Sequence, residues 1–518
     1  MNAKIRRKLA RGKRRIEKRL DKSHTGGCDR PMFTASNIQY EIADRTRGIS
    51  VGGIGLMHLV ARRLNLAEAI DERLHLLKFH LPYHESDHVL NIAYNVLAGG
   101  TRLEHLELLR TNEVYLDALG ARRIPDPTTA GDFCRRFTAW DVFVLMETFN
   151  EIRVQVWRRQ DEAFLAEAIL DADGTMVETG GECKQGIDIN HKGQWGYHPL
   201  LISLAATGEP LYIANRSGNR PSHEHAAVYL DRAIEYCRQA GFRKITLRGD
   251  TDFTQTEHLD RWDEAGVTFL FGIDAMRNLY EMAENLPETA WQRLERPPRY
   301  EVRTRPRSKP PRVKEAIVRE REFENLRLCD EYVAEFDYQP VKCRKTYRVV
   351  AVWKELEVTR GERKLFDDSR CFFYITNERD LSAPEIVFKA NDRCHQENRI
   401  EQLKNGVPAF AAPVDGLVSN WAYMVMAALA WSLKAWAALL LPDAKRGRKP
   451  SAKKKPRPPT EKQRLLRMEF VTFRNALLNI PAQIVRTGRR ILYRLLSWNP
   501  WQETFFRLLD QLALPRRC

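Results

Sequence analysis

Three short stretches carry the chemistry this sequence could perform. They read Leu170-Asp171-Ala172-Asp173-Gly174-Thr175, Leu247-Arg248-Gly249-Asp250-Thr251-Asp252-Phe253 and Arg393-Cys394-His395-Gln396-Glu397-Asn398-Arg399-Ile400. The first two follow apolar runs with strand character, and the third lies in a polar helical pattern. Two aspartates at strand ends and a glutamate on a helix can converge on a pair of hard cations. Mg2+ takes oxygen ligands in octahedral geometry and keeps waters, so such a site needs two or three carboxylates and no sulfur or imidazole. Two such ions about 4 Å apart can activate a water or a 3′-hydroxyl on one side of a phosphate and steady the leaving oxygen on the other. Asp173, Asp250 and Glu397 are therefore the expected catalytic and metal-binding residues, with two Mg2+ ions as cofactor and Mn2+ able to substitute.

Each acid needs an element to aim it. Asp173 would lie at the centre of a sheet, with Thr175 two residues on and facing the same way. Asp250 would sit at the carboxyl end of the neighbouring strand. Glu397 would approach from a long helix that starts at Ser382 or Ala383 and ends near Gly406. Arg393 is four residues before Glu397 and Lys404 seven after it, offsets that put all three on one helical face. A cation on each side of a carboxylate can hold it ionised and contact DNA phosphates, so Arg393 and Lys404 are the expected DNA-binding residues.

The surrounding pattern is α/β. Ala168–Thr175, Tyr197–Ala205 and Pro210–Asn215 read as strands, the last two joined by a turn at Thr207-Gly208-Glu209. Ser222–Ala240 reads as a helix, Lys244–Arg248 as a strand, residues 254–265 as helical and Val267–Ile273 as a further strand. Three antiparallel strands followed by alternating helix and parallel strand describe an RNase H-like mixed sheet. Ahead of it the pattern is helical: Leu56, Leu59, Val60 and Leu64 share a face, as do Val89, Ile92, Val96 and Leu97. Thr128 or Thr129 would cap a helix carrying Arg135 and Arg136, a helix-turn-helix layout suited to DNA. Proline-punctuated residues 285–370 contain alternating segments at Tyr300–Arg307, Ala316–Arg321, Tyr332–Tyr338 and Tyr347–Trp353, read as an inserted β subdomain.

The expected organisation is a basic N-terminal arm (1–50), a helical DNA-binding region (51–160) and a core in two parts (161–284 and 371–441) split by the β-rich insertion (285–370). A basic linker (442–464) and a C-terminal region (465–518) without an assigned role complete it.

Charge supports a polyanionic partner. The formal net charge is +16. Residues 1–22 and 445–464 each carry +9, which leaves the body near neutral and the excess on two appendages. Basic segments of this kind suit nucleic acid, because each neutralised phosphate releases counterions. Nine scattered cysteines without a CxxC pair argue against a zinc module or a disulfide framework and fit a reducing, cytoplasmic setting. Met1 leads into charge rather than an apolar run, so no secretory signal is expected. Leu417–Leu441 is strongly apolar, but Asn420, Ser432 and Lys434 interrupt it. A buried helix is expected there, and no membrane partner.

The spacing Arg393-x3-Glu397-x6-Lys404 resembles the latter part of the YREK signature of bacterial insertion-sequence DDE transposases. The tyrosine of that signature falls at position 390, which is alanine. Asp173-Gly174-Thr175 is similar to the first-aspartate motif of those families, and Arg248-Gly249-Asp250-Thr251-Asp252-Phe253 to the second. Gly196-Tyr197-His198-Pro199-Leu200 and Arg216-Ser217-Gly218-Asn219 also resemble that branch, and the likeness spans about residues 50–440. The resemblance implies Mg2+-dependent nicking at element ends and strand transfer by the freed 3′-hydroxyl. It implies double-stranded DNA as partner, both element ends and target, and a homodimer in a synaptic complex. In relatives with a β insertion between the second aspartate and the glutamate, a DNA hairpin intermediate occurs.

Other acids compete for these roles. Asp173 is preferred to Asp171 for its Gly174-Thr175, Asp250 to Asp252, and Glu397 to Glu401, which lacks the flanking cation spacing. His223 and His225, with Glu224, read as capping or surface residues at a helix start. Two other functional classes remain open. One is a catalytically silent DNA-binding protein derived from a transposase, which the three intact acids argue against. The other is a hydrolytic RNase H-like nuclease that cuts without joining.

Overall fold

Alternating and continuous apolar runs build one nine-stranded sheet among the described residues. Its strands are β1 (Glu167–Gly174), β2 (Leu200–Leu204), β3 (Pro210–Ala214), β4 (Lys244–Gly249), β5 (Thr268–Ile273), β6 (Gln292–Arg293), β7 (Glu324–Tyr338), β8 (Tyr347–Arg360) and β9 (Arg363–Thr376). The computed structural model describes residues 3–21, 38–39, 46–80, 82–296, 313–361, 363–442, 459–487 and 490–512. The spatial order is β3-β2-β1-β4-β5-β9-β8-β7-β6. β1, β2 and β3 pair antiparallel, whereas β1–β4 and β4–β5 pair parallel. An order of 3-2-1-4-5 with the first three strands antiparallel is the RNase H-like arrangement.

The insertion is β-rich and adds to the same sheet, because β9 pairs antiparallel with β5 and carries β8 and β7 outward. The expected strands Tyr332–Tyr338 and Tyr347–Trp353 are the inner parts of longer ones. Ala316–Arg321 is not a strand: Val313–Glu320 is a helix, in which Glu315 and Arg319 pair across one turn at 3.8 Å. The expected strand Tyr300–Arg307 lies outside the described residues, as does 443–458 of the basic linker.

The apolar helix Leu417–Leu439 is the axis between the sheet and the N-terminal helices. By length and composition it could cross a membrane, yet its most apolar stretch is entirely buried in the protein. Its three tryptophans pin it to the β2–β3 hairpin. Trp421 donates to the carbonyl of Ile213, Trp431 to that of Thr207 at 3.3 Å, and Trp436 to Glu209 Oε1 at 2.8 Å. The helices Ile54–Arg63, Glu85–Ala98 and Ala139–Trp157 pack around it, burying Leu56, Val60, Val89, Ile92, Val96 and Leu97. The basic segment near the N-terminus is helical over Ala3–Leu20. The Pro127–Arg135 helix is capped by Asp126, not by Thr128 or Thr129. The Asp126 carboxylate accepts the Thr129 N–H at 2.9 Å, and Pro127 occupies the first turn, where no N–H is needed.

The C-terminal region closes back onto the beginning of the chain. Ala482–Thr487 pairs with Arg490–Leu495 and, on its other edge, with Gly48–Ile49.

The helix expected to run unbroken from Ser382 to Gly406 is interrupted. Ser382 caps Ala383–Asn391 in a reciprocal box with Glu385. The chain breaks at Asp392–Arg393, resumes as Cys394–Glu401, and ends in a wide turn in which the Val407 N–H bonds the Gln402 carbonyl five residues back at 2.7 Å.

Candidate active site

Parallel pairing of β1 with β4 delivers two carboxylates to one end of the sheet. Asp171 is the register partner of Arg248, so Asp173 and Asp250, each two residues further on, emerge side by side. Asp173 is buried near the end of β1. Asp250 follows β4 directly and caps a short turn, its carboxylate accepting the Asp252 N–H at 3.1 Å. Arg393, at the helix break, stands between them: Nη1 is 3.3 Å from Asp173 Oδ2 and 3.7 Å from Asp250 Oδ2.

Burial pushes the Asp173 carboxyl up to about 7. The Arg393 charge opposes this, and Asp250 and Glu397 add to it. Asp250 is raised too, chiefly by burial, with Arg393 opposing and Asp252 reinforcing. Burial therefore outweighs the one guanidinium, and the pocket is short of positive charge. The donor set is oxygen only, the like charges repel, and the space between the two aspartates already holds a cation. That chemistry fits a hard divalent ion.

Glu397 lies in the first turn of the adjacent helix, exposed, near enough for its charge to act on Asp173. Among the described residues no three His, Cys, Asp or Glu side chains gather as a metal cluster. The structure thus joins Asp173 and Asp250 and leaves Glu397 alongside them.

Arg393 and Lys404 both turn inward. The Lys404 ammonium donates to the carbonyl of Met176 at 2.9 Å, three residues past Asp173, and burial lowers its pKa. The pair expected to flank Glu397 on one helical face instead brackets the end of β1, because the helix starts anew at Arg393 and widens at Lys404. Of the competing acids, Asp171 is wholly buried and bound by Arg248. Glu401 accepts from Asn405, and Glu224 pairs with Arg220 at 3.3 Å.

Two residues that sequence reasoning quoted without a role shape the site. A Cβ on Gly174 would sit 2.9 Å from the His198 ring, so the imidazole packs directly on the backbone beside Asp173. His198 is held by Nδ1, 3.0 Å from the Arg220 carbonyl, and burial lowers its pKa. Arg216 donates to the carbonyls of His198, Pro221, Ser222 and Glu224, each at 3.0 Å, and so fixes the loop that wraps Gly174. The signal for both was the pair of short motifs around them, which spacing alone could not attach to the site.

The sheet order is that of an RNase H-like fold. The chain belongs to the transposase DDE domain group 1 family, whose model matches residues 40–454. No curated protein shows significant similarity to it. Among solved structures it is similar to the piggyBac transposase seen by cryo-EM in a synaptic complex with hairpin DNA. The identity is 10% over 83% of this chain and 81% of that one, with a TM-score of 0.32.

Proposed function

We propose that this chain is a DNA transposase that binds the ends of its element, cleaves them and joins the freed 3′ ends to target DNA. The observation that carries this reading is the pair of aspartates, Asp173 buried and Asp250 half-buried, set around a single guanidinium at the carboxyl ends of adjacent parallel strands. Asp173, Asp250 and Glu397 would hold two Mg2+ ions, or Mn2+ in their place. When bound, the ions would supply activation of the attacking hydroxyl and charge neutralisation at the leaving oxygen. The chain's own residues do the remainder. Asp173 would have to be deprotonated to serve as a ligand. Arg393, released from the two aspartates, and Lys404, beside the end of β1, steady the phosphates flanking the cut. His198 and Arg216 keep the β1 terminus rigid, so that the reacting groups stay in register. The partner is double-stranded DNA, as element ends and as target. The active form is a homodimer that pairs two ends, working in the cytoplasm.

The test is an excision assay on a plasmid carrying the DNA ends that flank this gene, with Mg2+. Wild type should yield cut and joined products. Asp250→Asn should bind the ends normally yet lose cleavage by on the order of 10³-fold or more. Cleavage by Asp250→Asn at the wild-type rate refutes the assignment. Cutting without joining would reduce the protein to a nuclease, and end binding without cutting by wild type would mark a silent derivative.

A further inference from the structure

Asp171, the acid of β1 that stays out of the site, ties together the three elements that carry the site's acids. Its side chain is wholly buried. Arg248, on β4, donates to it twice, Nε to Oδ1 at 2.6 Å and Nη2 to Oδ2 at 2.9 Å. Arg399, on the Glu397 helix, places Nη1 3.6 Å from Oδ2. β1, β4 and the helix thus each contribute one member of a buried cluster. Each member lies two residues from a site acid: Asp171 from Asp173, Arg248 from Asp250 and Arg399 from Glu397.

The spacing has a physical meaning. Two residues along a strand return to the same face, so Asp171 lies directly behind Asp173. Two residues along a helix turn the side chain by about 200°, so Arg399 points into the protein while Glu397 points out. The remaining donors of the arginines reach further elements. Arg248 Nη1 bonds the Lys389 carbonyl at 2.6 Å, and Arg399 Nη2 bonds the Ala205 carbonyl at the end of β2. One residue before Glu397, the buried Gln396 accepts from Ser203 Oγ at 2.6 Å, and Ser203 is the β2 register partner of Asp171.

We propose that Asp171, Arg248 and Arg399 form a positioning layer that sets the spacing of Glu397 from the two strand-end aspartates and thereby the site's affinity for divalent metal. None of the three touches substrate. The break at Asp392–Arg393 is what lets the short helix be docked by this layer rather than by the helix before it. The inference rests on the proposed metal-binding role of Asp173, Asp250 and Glu397.

The test is a Mn2+ titration of the full chain read by electron paramagnetic resonance, alongside the Mg2+ dependence of cleavage. Arg399→Gln should weaken Mn2+ binding roughly tenfold, as loss of an outer partner of a metal site does, and raise the Mg2+ needed for half-maximal cleavage to match. Saturating metal should restore the rate, metal-free end binding should not change, and Arg399→Lys should recover part of the affinity. Arg153→Lys, which disturbs the buried Arg153–Glu209 pair elsewhere, should lower the unfolding temperature without moving the Mn2+ titration. If Arg399→Gln does not fold, Ser203→Ala, which loses one hydrogen bond, should shift the titration in the same direction. A folded variant that titrates as wild type overturns the positioning layer while leaving the site intact. Wild type that binds no Mn2+ overturns the reading of the site, and the layer with it.

Discussion

Nη1 of Arg393 lies 3.3 Å from Oδ2 of Asp173, and yet the buried carboxyl still holds its proton up to about pH 7. An unfolded aspartate lets its proton go near pH 4 (about 3.9). Between those values the folded chain binds more protons than the unfolded one, so its stability falls as pH rises. In chelator, the stability of wild type relative to Asp173→Asn should therefore fall as pH rises from 5 to 7. By pH 8 the variant should be the more stable by on the order of 3 kcal/mol. Parallel profiles for the two proteins would show that Asp173 is not the group responsible.

Gly174 is tied to His198 in a way that a single methyl group tests. A Cβ there would lie 2.9 Å from His198 Cε1, 3.1 Å from Nε2 and 3.1 Å from Ser222 Cβ, and the ring is anchored at its other side by the Arg220 carbonyl. Gly174→Ala should cost about 1–3 kcal/mol by overpacking. His198→Ala in the same chain should return part of that loss, because it removes the obstructing ring. Urea denaturation of the two single variants and the double variant measures the coupling, and strictly additive effects would refute the contact.

Glu209 gathers three donors at a point with no access to water. They are Arg153 Nε at 2.9 Å, Trp157 Nε1 at 3.1 Å and Trp436 Nε1 at 2.8 Å. Glu209→Gln should strand the Arg153 charge and turn an amide N–H toward a donor, costing roughly 3–5 kcal/mol. Calorimetry is the readout. A change under a quarter of that would mean the helix Leu417–Leu439 is held by apolar burial rather than by this carboxylate.

The sheet was legible because its strands announce themselves locally. Apolar runs end at Asp173-Gly174 and at Gly249-Asp250, where polar residues mark the sheet's rim, and Thr207-Gly208-Glu209 carries a turn's chemistry. The helix break at Asp392–Arg393 was not legible, since no proline or glycine stands there. Contacts distant in sequence impose it: Arg393 reaches the two aspartates, and Gln396 meets Ser203. The alternation at Ala316–Arg321 misled for the opposite reason, because helix-forming side chains with a Glu315–Arg319 pair satisfy a turn of helix equally well. The pairing of Gly48–Ile49 with Ala482–Thr487 joins segments over four hundred residues apart, about which local pattern is silent. Within the candidate site, the acids were visible as motifs, whereas the inward turn of Arg393 and Lys404 depends on the break that pattern could not show.

Lys434 gives the same pH profile a second limb of opposite sign. It is buried in the Leu417–Leu439 helix, with its ammonium 3.8 Å from the centre of the Trp431 ring and donating to the Leu466 carbonyl at 3.1 Å. Burial, with help from the Arg399 charge, lowers its pKa to about 7, against an unfolded lysine near 10 (about 10.4). Between those values the unfolded chain binds the extra proton, so stability rises with pH and is lost as pH falls through 7. Asp173 slopes downward below neutrality and Lys434 upward above it, so the joint contribution of these two groups to metal-free stability is least close to pH 7. Lys434→Met should flatten only the alkaline limb and Asp173→Asn only the acid one. Thermal unfolding in chelator from pH 5 to 10 reads both. An alkaline rise that survives in Lys434→Met would sink the assignment, because the only change made there is removal of the group held responsible for it.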